Sequence, residues 1–305
     1  MFLKLSKKPT RDEVLNFLAT SASYGNLGLF IGAGLSKAVL NESSEDEIAL
    51  SWGGLLQGVA KKMDVNYDSL NQIGTSYPEI ASAICRAYRD KKHVSFKESL
   101  GCLKREISAL TCWYPADEQR QRYSQYLESF APSWIITTNY DLVIESLLTG
   151  KSITLGPNDP LSAPKGVVPV FHLHGVRTNP DGIIIAQEDY VTLFRPSEYR
   201  QIRLALTIKE STTLLLGYAL GDVNVLTALD WSKYVFKRTR ENYPHGVIQV
   251  LRKKKPSDEP YRAVNGVVIL ETEALSGFFE EFSVVRDAVM KVEEKKAPSI
   301  GEARG

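Results

Sequence analysis

The chain has 305 residues, a length that suits one large domain able to bury a full core without disulfide staples. Lys and Arg number 37 against 36 Asp and Glu, a near-neutral balance that argues against broad nucleic-acid or membrane-surface binding. Cys85, Cys102 and Cys112 form no C-x-x-C pair and no zinc-spaced cluster, and no apolar stretch approaches the roughly 20 residues of a membrane span, so a cytoplasmic protein without zinc is expected.

In chain order, Thr10-Arg11-Asp12-Glu13 reads as a capping box opening a helix over about Arg11 to Ala22. Leu27 to Ile31 is a short apolar run entering Gly32-Ala33-Gly34, as a buried strand enters a tight turn, with a helix expected over Ser36 to Leu40. Ser51-Trp52 opens another helix. Residues 63–130 then carry helical patterns without a convincing strand (Tyr77 to Arg89, Val94 to Leu110, Asp117 to Phe130) and read as a helical insertion.

Strand patterns return at Trp134 to Thr137, Ser152 to Leu155, Val167 to His172, Ile183 to Ala186, Thr213 to Leu216, Gly246 to Leu251 and Val267 to Leu270. Helices are expected between them at Asp141 to Leu148, Glu198 to Lys209 and Asn224 to Phe236, and a last one at Leu275 to Glu293. Apolar strands alternating with helices predict an α/β fold: a Rossmann-like parallel sheet with helices on both faces and a helical insertion. The domain is expected over residues 1–296, with 297–305 as a flexible tail.

Three strand ends carry candidate chemistry. Gly34 would let the backbone approach a pyrophosphate, the following helix would aim its N–H groups at the anion, and Ser36 would add a hydroxyl; a ligand-free tight turn fits the same residues. Asn139 brings a donor and an acceptor to the carboxyl end of its strand, where open α/β sheets bind ligands, and Asp141 suits either the site or the cap of the next helix. His172 and His174, two apart, would share one face of a strand, with His174 at its end before Gly175. An imidazole there suits a general base, while a structural histidine or a metal ligand are the alternatives; His172, one step deeper, reads as supporting.

Taken in order, Gly32-Ala33-Gly34-Leu35-Ser36, Thr138-Asn139-Tyr140-Asp141, His174-Gly175 and Leu216-Gly217-Tyr218-Ala219-Leu220-Gly221-Asp222 resemble the sirtuin-like family. The four cysteines that hold zinc in protein-deacylating sirtuins have no counterpart. Ser51-Trp52-Gly53-Gly54-Leu55-Leu56 and Glu188-Asp189-Tyr190 are similar to a zinc-free bacterial branch that hydrolyses NAD in antiphage defence.

The resemblance implies NAD as substrate, with Asn139, His174 and Asp141 at the reacting sugar. Gly32, Ala33, Gly34, Ser36 and Thr138 would lie on the dinucleotide, and Gly217, Tyr218 and Asp222 on its adenosine side. It also implies gating by self-association or by a HerA-type ATPase partner. An NAD-dependent protein deacylase and a non-catalytic NAD- or ADP-ribose-binding assembly subunit are the competing readings.

Overall fold

The structure is a computed structural model and describes residues 8–42, 44, 47–193, 199–218, 245–264 and 266–296. Within these residues the strands are β1 (Leu27–Ile31), β2 (Trp134–Thr137), β3 (Ser152–Leu155), β4 (Val168–His172), β5 (Thr212–Leu216), β6 (Val247–Arg252), β7 (Tyr261–Arg262) and β8 (Val268–Thr272). They form one eight-stranded sheet in the order β3-β4-β2-β1-β5-β6-β8-β7. Every pairing is parallel except that of β7 with β8. This is the expected Rossmann-like sheet. From β1 the chain winds out through β2 to the β4–β3 edge and returns as β5 on the other side of β1. The chain therefore reverses direction across the sheet beside β1, and the carboxyl ends of β4, β2, β1 and β5 stand side by side there.

The helices among the described residues are α1 (Arg11–Ser23), α2 (Ala33–Asn41), α3 (Trp52–Lys62), α4 (Tyr77–Lys92), α5 (Phe96–Leu110), α6 (Asp117–Ser129), α7 (Val143–Leu147), α8 (Gln187–Leu193), α9 (Tyr199–Glu210) and α10 (Leu275–Lys296). The capping box at Thr10 and Glu13 opens α1 as its sequence predicts. Ser76 with Glu79 and Ser95 with Glu98 open α4 and α5 in the same way. Among the described residues no helix is long and apolar enough to cross a membrane.

Strand side chains alternate between two cores. Leu29, Ile31, Ile135, Val170, Leu214 and Leu216 pack with residues of α1, α2, α6, α7 and α10. Phe30, Ile136, Phe171 and Leu215 face the other way, against Leu204 and Ile208 of α9. Period-two alternation on a sheet apolar on both sides is the pattern of a strand covered by helices on each face.

A third core holds α3, α4 and α5 together through Leu56, Val59, Ile80, Ile84, Leu103 and Ile107. Tyr140, Ile183, Ile185 and Ala186 complete it, so this helical unit rests on the segments that leave the carboxyl ends of β2 and β4. The helices group by packing rather than by position in the chain: α6 belongs to the sheet's core, and α3 joins α4 and α5.

Two sequence expectations are corrected. Ile183 to Ala186 is not a strand; a 3-10 turn at Pro180–Gly182 precedes it and α8 follows. The run is apolar because it is buried against the third core. Its backbone finds partners outside any ladder: Ile184 N–H donates to the His174 carbonyl (2.8 Å), and the Ile185 and Ala186 amides donate to Asp189 Oδ2 (3.1 Å each). Second, α2 begins at Ala33 rather than Ser36, which puts Ser36 inside its first turn. The helix expected at Asn224 to Phe236 and the tail after 296 lie outside the described residues.

Lys104 of α5 meets Asp189 at 2.7 Å, with side chains only 9% and 13% exposed. Removing one partner of a buried pair strands the other. Lys104→Ala is therefore expected to lower stability by about 3 kcal/mol in urea denaturation. Lys91→Ala, which breaks the exposed contact with Asp64, should leave the urea midpoint unchanged.

Candidate functional site

The site begins with a contact between two glycine turns. Gly32 N–H donates to the Leu216 carbonyl at 2.9 Å and Gly34 N–H to the Gly217 carbonyl at 2.8 Å. A Cβ on Gly34 would lie 2.7 Å from Gly217 Cα. Gly217 has φ +58°, and a Cβ there would lie 2.3 Å from Leu35 N. Both positions therefore require glycine, one for close approach and one for approach together with a left-handed backbone. The contact seats the start of α2 directly against the exit of β5.

Ser36, one turn into α2, is buried and reaches across to the exit of β2. Its hydroxyl donates to the Asp141 carboxylate, 3.1 Å from each oxygen, and accepts from Asn139 Nδ2 at 3.1 Å. Asp141 also accepts from Val143 N–H (3.0 Å), the first residue of α7; the N-cap is Leu142, so Asp141 closes a turn one residue before the helix and is not itself the cap expected of it. Asn139 N–H donates to Thr137 Oγ1 at 3.0 Å. Burial pushes the Asp141 carboxyl up to about 6, against the lowering pull of Val143 N–H, the Ser36 hydroxyl and His172.

The exits of β2 and β4 are zipped together. Leu173 N–H donates to the Thr137 carbonyl at 2.8 Å, and Arg177 N–H to the Tyr140 carbonyl at 2.9 Å. β4 ends at His172, and Leu173 and His174 form a turn, so the two histidines do not share one strand face as their spacing predicts. Gly175 ends that turn with φ +89°, its missing side chain making room for the Gly182 carbonyl, 2.5 Å from where a Cβ would stand. His174 is fully buried, and its ring meets the edge of Tyr190, with centroids 5.6 Å apart.

Tyr190 is part of a segment that secures the helical unit to this turn. Glu188 accepts from Ser82 and from Arg86 (3.0 Å) of α4, and Asp189 pairs with Lys104 of α5. Tyr140 Oη donates to the Ile184 carbonyl at 2.7 Å. Tyr140, the residue after Asn139, and the Ile183–Tyr190 segment that packs on His174 are thus tied to the same helical unit.

His172 is also fully buried. Its Nδ1 faces the Asn139 carbonyl and its Nε2 faces Glu145 Oε1, each at 2.8 Å. Burial opposes its charge, but the Glu145 carboxylate and the Asn139 carbonyl outweigh burial and raise its pKa above the ordinary histidine value. Glu145 was not marked by the sequence. The one available signal is its place in the first turn of the helix after Asn139, which many unremarkable glutamates share.

Asn139, Asp141 and His174 are therefore brought onto adjoining loops and are buried, while Ala33, Gly34, Thr138 and Gly217 above the same strand ends are half-exposed. Ser36, expected at a pyrophosphate, has its hydroxyl directed at Asp141. Tyr218, expected on a nucleotide, packs its ring against Phe30, with centroids 4.8 Å apart. Asp222 lies outside the described residues. Gly32 caps α2 without a side-chain hydrogen bond, and no acidic residue stands in the helix's first turn, so its positive end suits an anion. Among the described residues no group of three or more His, Cys, Asp or Glu could hold a metal ion. A cleft of about 470 Å3 lies at the opposite, amino end of the strands, lined by Phe17, Thr20, Ser21, Tyr24, Asn26 and Glu210; no predicted site residue borders it.

Residues 133–270 match the family model of the SIR2-like domain. The match runs from the residue before β2 into β8 and includes Asn139, Asp141, His172, His174 and Gly217; β1 and the first glycine turn join it through strand pairing. No curated protein matches the chain. With the parallel sheet and the ordered motifs at its carboxyl edge, the match identifies residues 133–270 as a SIR2-like domain.

Proposed function

We propose that this protein is an NAD+ hydrolase that cleaves the nicotinamide–ribose bond and releases nicotinamide and ADP-ribose. A SIR2-like domain supports NAD-binding and NAD-utilising chemistry in general. The observation that carries the finer reading is the buried cluster at the exits of β2 and β4: Asn139 and Asp141 joined by Ser36, on a loop hydrogen-bonded to the one that carries His174. The start of α2, without a side-chain cap or an acidic residue in its first turn, suits the pyrophosphate, and half-exposed Ala33, Gly34, Thr138 and Gly217 suit the approach of the dinucleotide along the strand ends.

In this reaction the carbon–nitrogen bond breaks with its electron pair leaving on the nicotinamide nitrogen, which neutralises that ring's charge. The leaving group needs no proton. Positive charge builds at the anomeric carbon, as in glycoside cleavage, and water closes the new carbon–oxygen bond and gives up a proton. His174 serves as base for that water or for a ribose hydroxyl. Asn139 fixes the ribose hydroxyls or the water, and the ionised Asp141 sets a negative potential near the cationic centre.

The similarity of Ser51 to Leu56 and of Glu188 to Tyr190 to the antiphage branch supports NAD depletion as the biological outcome. It also supports control by self-association or by a HerA-type ATPase.

Purified protein incubated with NAD+ should release nicotinamide and ADP-ribose in equal amounts, followed by chromatography. His174→Ala and Asn139→Ala should each lower the rate by about 10²-fold or more while keeping the wild-type circular dichroism spectrum. Undiminished turnover in either variant removes that residue from the chemistry, and NAD+ consumption that requires an acylated peptide establishes a deacylase instead.

Asp141 yields a separate expectation. Its folded-state pKa near 6 lies above that of the unfolded chain, so between pH 4 and 6 the folded protein binds more protons there and loses stability as pH rises. From pH 4.5 to 7.5, Asp141→Asn should gain about 2 kcal/mol on the wild type in urea denaturation. A pH-independent difference would show that the carboxyl titrates normally.

A further inference from the structure

His172 sits where a neutral imidazole cannot satisfy both of its neighbours. The Asn139 carbonyl at Nδ1 accepts only, and Glu145 Oε1 at Nε2 is the oxygen that already accepts from Thr154 and so is set as an acceptor toward the ring as well, each 2.8 Å from its ring nitrogen. A neutral ring carries a single N–H, so meeting both acceptors takes a second proton, shared along the bond to Glu145. The surroundings sustain that proton: Asp141 adds attraction from the same loop, and Thr154 of β3 donates to Glu145 Oε1 at 3.0 Å. The ring is fully buried, so water does not compete for either contact.

The hydrogen bond from Nδ1 falls on the backbone of Asn139 itself. Asn139 lies beyond the end of β2, outside the strand's ladder, and three contacts hold it: Thr137 on its amide, Ser36 on its side chain and His172 on its carbonyl. The first two come from hydroxyls that each also donate onward, Thr137 to the Ile31 carbonyl and Ser36 to Asp141. The third comes from a ring fixed at both ends.

We propose that the Glu145–His172 pair is the positioning device for Asn139, with His172 locking the Asn139 carbonyl and Glu145 locking the His172 ring. This rests on the reading of Asn139 as a residue that touches the reacting sugar. His172 does not itself touch substrate. Its contribution is to keep the Asn139 amide from swinging out of line as charge develops, a displacement that costs about 10²-fold in rate when it reaches an ångström.

The test combines a spectroscopic readout with kinetics on the full-length protein. In histidine-labelled wild-type protein without NAD+, nitrogen NMR at pH 7 should show both ring nitrogens of His172 protonated. In Glu145→Gln, whose amide can donate to Nε2, the ring should become neutral with the proton kept on Nδ1, and kcat for nicotinamide release should fall by less than about tenfold. His172→Phe removes the bond to Asn139, and kcat should fall by about 10²-fold with KM changed by less than about threefold.

A neutral His172 in the wild type overturns the proposal, as does wild-type kcat in His172→Phe when Asn139→Ala is inactive. If Asn139→Ala itself turns over normally, the reading of Asn139 fails instead, and the ring-nitrogen signals still report on the Glu145–His172 pair. Should His172→Phe fail to fold, Glu145→Gln alone decides: a ring that stays doubly protonated without the carboxylate overturns the role of Glu145.

Discussion

A carboxylate placed out of reach of water governs the organisation of this site. Asp141 is 3% exposed, and its burial disfavours the charged form strongly enough to carry the carboxyl up to about 6. Relative to an ordinary aspartate, a shift of that size corresponds to about 3 kcal/mol withheld from the fold when the group is ionised. The neighbouring donors offset part of the penalty: the Ser36 hydroxyl from α2, the Val143 amide from α7 and the nearby charge of His172. Each comes from a different element. The requirement to solvate one buried carboxylate from within thus ties the exit of β1 to those of β2 and β4 and sets the position of Asn139 between them.

The same logic extends outward through the helical unit. Its core of α3, α4 and α5 is closed by Tyr140 on one side of Asn139 and by the Ile183–Ala186 segment that follows the His174 turn. Glu188 and Asp189 tie that segment to α4 and α5 by hydrogen bonds and a buried ion pair, and Tyr190 sets its edge on His174. A displacement of α4 or α5 would therefore be felt at the His174 turn through packed side chains and ionic contacts rather than through a flexible linker. The unit reaches the site through Tyr140, beside Asn139, and through the Ile184 amide and the Tyr190 ring on His174 itself.

Much of this was legible locally. The capping box at Thr10 and Glu13, the buried strands β1, β2 and β5, and the glycine turns follow from residue spacing, because periodicity and turn chemistry are properties of a few consecutive residues. Ile183 to Ala186 was misread because burial makes a segment apolar whether or not it joins a sheet. Nothing within it reveals that Asp189 would satisfy two of its amides. β7 escaped notice because two residues are too few to display alternation.

The sequence by itself determined which polar groups stand at the ends of apolar strands, since those positions are marked by the change from β-branched and aromatic residues to Asn, Asp, His and Gly. Tertiary structure alone decided what each group touches. Ser36 meets Asp141 across 105 positions and His172 meets Asn139 across 33, and both meetings depend on strand order and parallel register. Those are set by the packing of whole helices on whole faces of the sheet, a sum over many weak contacts that no short stretch of sequence contains.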